Sequence, residues 1–467
     1  MLVCTGAIAQ EKTNKEDSDL VFLPPTIDNN TREIVGNDLS VGGKKHYRFK
    51  FILDNTTQRD FLKDQSELVF HLPDQNTSDW NNLTRIGLRG ELAISSRLAL
   101  KTNILLNAHI FQNKDINVSD DLRLDIRETY FSWQYSPTLF VDAGRINIKN
   151  GVASGFNPTD YFKVGTVLDQ NTEDASQLRN DRLGTLALRG QTLWDGGAIT
   201  FLVSPKVGDK ASHWFRGEDI VGLNLQKSND RTRFMLKFTH KVSEGFSPEY
   251  IYYNESGKHN FGLNISKTLN KQWLGYGEWS VGERRNLIDE ALLTARYANN
   301  LHPTIVAIFS KDEGKKYQHQ FAIGASYTTV SNVTTNIEYH YNEAGLSKTD
   351  ENIWFQAIDD VGQHAEGLGQ LLSIRGLARA RGESFGKHTL FIRSSWTDAI
   401  IDGLDLTGLL IIDINDNSNL IQAEAVYDLN SKTSLTIRLA GFQGDKKSNY
   451  GSLSNNQTMT LKFKYNF

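Results

Sequence analysis

The sequence predicts an all-β fold: a transmembrane antiparallel up-and-down β-barrel of about 18 strands, with 16 to 20 admissible. Three observations carry the prediction. From about Lys45 onward, segments of about ten residues alternate apolar and polar positions. Short connections alternate with long ones, as the short periplasmic turns and long external loops of such barrels do. The last segment, Gln457–Phe467, alternates up to its final aromatic residue.

Composition narrows the class. The chain has 467 residues, 51 Lys and Arg against 55 Asp and Glu, and a net charge of -4. No run approaches the roughly 20 apolar residues of a membrane-spanning helix. The 24 Phe, 16 Tyr and 8 Trp argue against a disordered chain. Near-neutral charge offers no electrostatic footprint for nucleic acid. Eight Pro against 37 Gly suits strands joined by tight turns. The single cysteine, Cys4, excludes an internal disulfide. Residues 1–9 end in Ala7-Ile8-Ala9, an A-x-A pattern expected of a signal-peptide remnant. Residues 10–44 are polar and read as a flexible periplasmic arm, and 45–467 as the barrel.

Side chains change face at every residue of a strand, so each segment can be checked. In Leu83–Ile94, Ile86, Leu88, Leu92 and Ile94 share one face, and Arg85, Arg89 and Glu91 the other. In Leu98–Phe111, Leu98, Leu100, Ile104, Leu106 and Ile110 oppose Lys101, Asn103, Asn107 and His109. In Arg231–Lys241, Phe234, Leu236 and Phe238 oppose Arg233, Lys237 and Thr239. In Thr334–Asn342, Ile337, Tyr339 and Tyr341 oppose Asn336, Glu338 and His340. Short links are expected at Ser95-Ser96, Ser136-Pro137, Trp194–Gly197, Ser228–Asp230, Leu269–Lys271, Val330–Asn332 and Leu429–Lys432. Long ones are expected at 148–181, 206–217, 243–257, 283–289, 343–385 and 442–457. In the last strand Met459, Leu461, Phe463, Tyr465 and Phe467 oppose Thr458, Thr460, Lys462, Lys464 and Asn466. Phe467 has the form of the terminal aromatic signal for outer-membrane insertion. Aromatics near turns, Trp133, Tyr135, Trp194, Trp273, Trp279, Tyr297, Tyr339 and Tyr427, fit the girdles at the membrane interfaces.

Residues 122–163 hold a denser pattern: Arg127-Glu128, Tyr130, Gly144-Arg145, then a glycine-containing loop ending Asn157-Pro158-Thr159-Asp160. Asn-Pro starts turns, and Asn and Asp side chains bond nearby backbone, so 157–160 can form a compact fixed turn. It either folds into the pore as a constriction, formed by Asn157, Pro158 and Asp160, or stiffens an external loop. This segment resembles alginate-export-type outer-membrane proteins and related large porins. Asn150-Gly151 stands where those proteins often have Trp-Gly. The resemblance implies an 18-stranded pore with a charged lumen, not alginate as the solute. Lys348–Arg381 has apolar residues at roughly helical spacing, expected of a loop helix that plugs, gates or caps the barrel.

If apolar faces meet lipid, the polar faces line the lumen. They carry Arg85, Arg89, Lys101, Arg123, Arg127, Arg231, Arg233 and Lys237, with Glu91 and Asp125 as acidic partners. The second half adds Glu278, Glu338 and Glu424, with Arg296, Arg393 and Arg438. Arginine forks suit carboxylate, phosphate and sugar hydroxyls, so an anion-favouring lumen is expected. Ion pairs that merely brace the wall are the alternative. No catalytic motif appears, and the eleven His show no metal-ligand spacing. The sequence therefore implies no enzyme, cofactor or metal. It points to a channel for a polar, anionic solute or saccharide, in contact with outer-membrane lipid. The rival reading is a plugged barrel serving an export or envelope-assembly complex, with the 10–44 arm reaching a periplasmic partner.

Overall fold

A strand with one apolar and one polar face cannot stand alone, and in lipid every backbone N–H and C=O needs a partner within the protein. A closed sheet meets both demands. The structure, a computed structural model, describes residues 47–62, 80–111, 122–169, 172–208, 223–309, 312–362 and 364–467. The expected signal remnant and the 10–44 arm lie outside these residues. The strands are β1 (Tyr47–Leu62), β2 (Trp80–Ala93), β3 (Leu98–Phe111), β4 (Leu122–Gln134), β5 (Leu139–Ile146) and β6 (Thr185–Trp194). There follow β7 (Gly197–Ser204), β8 (Arg233–His240), β9 (Glu249–Glu255), β10 (Lys258–Thr268), β11 (Trp273–Arg284) and β12 (Lys316–Thr328). The last six are β13 (Val333–Asn342), β14 (His388–Trp396), β15 (Leu404–Asp413), β16 (Asn419–Asn430), β17 (Thr433–Gln443) and β18 (Asn455–Asn466). Each pairs antiparallel with its sequence neighbours, and β18 returns to β1, closing an 18-stranded barrel. At that seam Leu53 faces Tyr465, and the Phe467 N–H donates to the Phe51 carbonyl at 2.9 Å.

The burial pattern is that of a membrane barrel rather than a soluble one. On β2, Ile86 is 54% exposed and its neighbour Arg85 only 2%. On β18, Leu461 is 45% exposed and Thr460 only 3%. Apolar side chains face outward and polar ones inward, the arrangement that hydrocarbon outside and a polar interior select. Of the girdle aromatics, Trp133, Tyr135, Trp194, Trp273, Trp279 and Tyr427 are exposed.

One end of the barrel carries only brief connections, of which 241–248 is the longest. The other end carries 147–184, 205–232, 285–315, 343–387 and 444–454, alongside two brief ones, 256–257 and 414–418. Three expectations change. Ser228–Asp230 is not a turn between strands but part of one long connection, 205–232. The Asn229 side chain bonds the backbone of Leu186 and Pro205, pinning that stretch against β6 and β7. Residues 243–257 contain β9. Its inward face runs Glu249, Ile251, Tyr253 and Glu255, with apolar residues at the middle and acidic ones only at the two ends, so its alternation is weak. The 283–289 loop is 285–315 and contains two helices. Arg296 and Tyr297 therefore sit on a helix, not on the wall or a girdle.

Among the described residues six helices occupy the long-loop end. They are α1 (Ala175–Asn180), α2 (Leu225–Ser228), α3 (Leu287–Tyr297), α4 (Pro303–Ile308), α5 (Lys348–Val361) and α6 (Ala365–Arg381). Capping sets their limits. Ser347 and Asp350 form a reciprocal capping box at the start of α5, and Gly362 ends it. Gly382, in the left-handed region, ends α6. α3 to α6 bury a shared apolar core around Leu292, Ile305, Trp354, Ile358 and Leu371. The Trp354 indole N–H donates to the Leu371 carbonyl at 3.0 Å. The expected single helix of 348–381 is thus two helices of a small helical cap.

Candidate functional site

The connection between β5 and β6 enters the barrel, and the dense sequence pattern is its root. Glu128 accepts the Asn147 N–H at 3.0 Å, and the Arg127 carbonyl accepts the Gly184 N–H at 2.8 Å. Arg145 donates to the Gly184 carbonyl at 3.0 Å and to the Ser228 hydroxyl at 3.1 Å. Gly144 has φ +136°, and a Cβ there would lie 2.5 Å from the Thr129 carbonyl oxygen. Only glycine lets β5 approach β4 so closely. Tyr130 packs with Ile146, Ile148 and Phe162 in a buried cluster over the root.

The middle of the loop hangs on two wall carboxylates. Glu278 of β11 accepts N–H groups of Val152 and Ala153 (the latter at 2.6 Å), the Asn157 amide at 2.8 Å and the Thr159 hydroxyl at 3.0 Å. Glu338 of β13 accepts the Ser154 and Gly155 N–H groups at 2.6 and 2.9 Å and the Tyr276 hydroxyl at 2.7 Å. His340 Nε2 lies 2.7 Å from the same carboxylate. Successive backbone N–H groups around a carboxylate make strong, charge-assisted bonds and fix the turn's path. Asn157, Thr159 and Asp160 are buried. The side chain of Asn157 also donates to the Ala153 carbonyl, giving the compact turn expected of N-P-T-D.

The returning half is tied by ion pairs. Asp160 takes two bonds from Arg182, at 2.8 and 3.1 Å, with Arg179 at 3.6 Å. Asp169 meets Arg123 at 2.6 Å and Arg85 at 3.9 Å. Asp174 caps α1 through the Ser176 N–H and pairs with Arg393 of β14 at 3.0 Å. Gln177 donates to Glu424 of β16 and accepts from Arg438 of β17. Asp181 pairs with Arg127 at 2.7 Å and Arg85 at 3.5 Å. Burial works against its charge, but the two guanidiniums outweigh it and hold this carboxyl at about 2. The loop therefore touches β2, β4, β11, β13, β14, β16 and β17, and so crosses the lumen.

Of the wall residues expected from sequence, Arg85, Arg123, Arg127, Arg233, Lys237, Glu278 and Glu338 all face inward. Lys237 pairs with Glu249 at 3.2 Å. Arg89 and Lys101 share the inward phase nearer the short-turn end. Arg231 precedes β8 within the 205–232 connection, where it pairs with Asp230 and Glu255. Pro158 is buried in the turn, and Phe467 is exposed beside Tyr465. The wall guanidiniums are matched by carboxylates from the loop and neighbouring strands, so the lumen is close to charge-balanced at these positions. The loop carries two further cations, Lys149, which donates to the Asn180 side chain, and Lys163, which lies over the Phe156 ring and donates to the Asn157 and Gly382 carbonyls. Lys163 is the more deeply desolvated of the two. Its desolvation lowers it to about 8.

Asp169, Asp174, Asp181, Arg179, Arg182, Tyr276 and His340 were not singled out from the sequence. The available signal was the loop's own charge pattern, four Asp between 160 and 181 facing a wall rich in Arg. Toward the short-turn end the lumen wall holds a cavity of about 210 Å³ lined by Thr268, Ser326, Thr334, Ser395 and Arg393. Toward the other end the helical cap touches the loop, where the Gly165 N–H donates to the Ala380 carbonyl at 2.9 Å.

No protein-family model matches the chain, and no curated protein does. Solved structures do. OccAB1 of Acinetobacter baumannii aligns with TM-score 0.54 at 10% identity, over 91% of this chain and 98% of that one. A BenF-like porin from Pseudomonas fluorescens Pf-5 aligns at 0.52 and 10%, over 91% and 100%. The outer membrane protein opdK from Pseudomonas aeruginosa aligns at 0.52 and 9%, over 91% and 100%. At such identity the likeness is one of fold: the chain is a closed 18-stranded barrel of the outer-membrane porin type.

Proposed function

We propose that this protein is a channel of the bacterial outer membrane through which small polar solutes diffuse, with anionic solutes or saccharides favoured. The single observation behind this reading is the 147–184 loop, held inside the lumen by Glu278, Glu338 and the wall arginines. A loop so fixed narrows a wide barrel to a lumen lined by selected side chains, with Asn157, Pro158 and Asp160 at its core. The long-loop end would face outward and the short-turn end the periplasm. Arginine forks suit carboxylates and sugar hydroxyls, and the alginate-export-like pattern at the loop root adds saccharides to the candidates. Because those forks are already matched by carboxylates, the anion preference is expected to be weak. Phe467 would serve as the membrane-insertion signal.

A second reading, a plugged barrel in an export or assembly complex, draws on the same tethering, since a loop tied on so many sides could seal the lumen. Single-channel recording of the refolded protein in a planar bilayer under a salt gradient separates the two. Ohmic steps with a small anion-leaning reversal potential support the channel. Silence from a folded, heat-modifiable barrel overturns it in favour of the plug, and clear cation preference removes the anionic solute.

A further inference from the structure

At the long-loop end, away from the lumen loop, helix α5 meets the brief β15–β16 connection, and side-chain and main-chain oxygens converge there. The connection reads Asp413-Ile414-Asn415-Asp416-Asn417-Ser418, with oxygen-bearing side chains at every position but Ile414. Glu351, in the first turn of α5, is 2% exposed, and its Oε2 has no hydrogen-bond partner. Its Oε1 accepts only the Asn415 amide, at 2.9 Å. The same amide donates to the Leu346 carbonyl at 2.9 Å. Asp413, 1% exposed, accepts the Asn415 N–H and the Asn449 amide, each at 3.0 Å. Among the described residues no Lys, Arg or His lies within ion-pair distance of either carboxylate; Lys348 acts on both only through space, Asp416 adds a further negative charge, and the nearby Arg375 is stacked on Trp354 and Phe385.

Two buried carboxylates without a cationic partner are costly, because each loses hydration that amide donors only partly replace. The deficit can be met by a proton or by a metal ion. Three features favour the ion. First, Glu351 Oε2 is buried with no hydrogen-bond partner, while the Asn415 amide donates to both Glu351 Oε1 and the Leu346 carbonyl, two bonds that an ion would replace by turning the amide oxygen toward itself. Second, Gly386 faces the cluster, and a Cβ there would lie 2.7 Å from Asp413 Oδ2 and 2.8 Å from Asn415 Nδ2. The position is kept free of a side chain against these oxygens. Third, the donors are carboxylate, amide and main-chain oxygens in an irregular set, which suits Ca²⁺ better than the strict octahedron of Mg²⁺. No three His, Cys, Asp or Glu side chains among the described residues form a ready cage, so the amide and the carbonyl are needed to complete the shell.

We infer that Glu351, Asp413, Asn415 and the Leu346 carbonyl form a Ca²⁺ site that clasps the helical cap to the β15–β16 connection. Binding would stabilise the cap against local opening, and affinities of about 10⁻⁴–10⁻³ M are typical of such extracellular sites. The test is titration of the refolded, heat-modifiable barrel with Ca²⁺ by calorimetry, and with Tb³⁺ by luminescence sensitised through Tyr450 or Trp354. One saturable ion per chain is expected. Affinity should fall at least tenfold in E351Q and in D413N, but not in D359N, whose carboxylate pairs with Lys447 on the outer side of α5. The bound ion should slow proteolysis of residues 348–381. Absence of saturable binding to the folded wild type would overturn the inference. So would binding unchanged in both E351Q and D413N, or a cap protected equally by mild acid without Ca²⁺, which would assign the site to a proton. Should E351Q fail to fold, D413N and N415A carry the comparison. Loss of channel activity in any of these proteins would bear on the lumen, not on this site.

Discussion

At the scale of single residues, the alternation of faces was legible and the partners were not. Arg85, Arg123, Glu278 and Glu338 read as inward-facing from period alone, and they are. What each one holds could not be read, because it depends on the path of a loop whose contacts span more than a hundred positions, as from Ala153 to Glu278. Lys163 illustrates the gap. Nothing in its sequence neighbourhood marks it, yet it is a loop cation that, among the described residues, bonds carbonyls and no carboxylate, and burial lowers it from the ordinary Lys range to about 8. A base whose value is lowered is charged below that value and neutral above it. Raising the pH through 8 should therefore remove one positive charge from the loop inside the lumen. We expect the anion preference to decrease between about pH 7 and 9, read as a shift in reversal potential. In K163M the potential should be flat over that range and sit at the wild-type high-pH value. Asp181 works in the opposite direction. Its carboxyl, lowered to about 2, contributes stability that is complete above its unfolded value near 4 and is lost as the pH falls toward 2. Protease nicking within 147–184 should consequently rise only below about pH 3 in wild type, and already occur at neutral pH in D181N.

At the scale of elements, strands with two contrasting faces announced themselves and elements with one kind of residue did not. β9 was hidden because its two central inward residues, Ile251 and Tyr253, pack with Phe162 and Tyr161 of the loop and are apolar like the outward Tyr250 and Tyr252, leaving acidic inward residues only at its ends, Glu249 and Glu255. α3 and α4 were missed for a related reason. Each is short, and its apolar stripe is matched only by helices α5 and α6, distant in sequence. The helical cap should therefore behave as a unit separate from the wall. Trp354 is its largest fully buried side chain, and it is held by one indole hydrogen bond and two aromatic contacts. Replacing a buried tryptophan with alanine costs about 3–5 kcal/mol. W354A should open the cap to limited proteolysis within residues 285–387 by a factor of at least 100, while the wall strands stay protected. Protection of the cap equal to wild type would mean that its core is not organised around Trp354.

At the scale of the whole molecule, closure of the sheet and adjustment of its interior are separate matters. The closed ladder gives every strand two hydrogen-bonded neighbours, so the wall owes little to what fills it. This explains why strand number and the short-turn rhythm were legible in a sequence that has no family match, since they follow from the bilayer and from the period of two. The interior obeys no such general rule. It is a network in which the two carboxylates Glu278 and Glu338 accept backbone N–H groups of 152–155, three loop aspartates, Asp169, Asp174 and Asp181, meet wall arginines, and Asp160 pairs with Arg182 of the loop itself. Breaking that network should alter conduction and spare the barrel. In the double variant E278A/E338A each lost charge-assisted bond removes about 1.5–3 kcal/mol from the loop's attachment, enough with several lost together to release residues 152–160. The variant should still migrate as a compact species in unheated detergent and unfold only on boiling, at the wild-type temperature within a few degrees. Its single-channel conductance should rise, with frequent closures as the freed loop moves, and added polar solute should block it less. A variant that loses heat-modifiable mobility would show that the loop braces the wall. Unchanged conductance with an intact barrel would show that the narrow part of the lumen lies elsewhere.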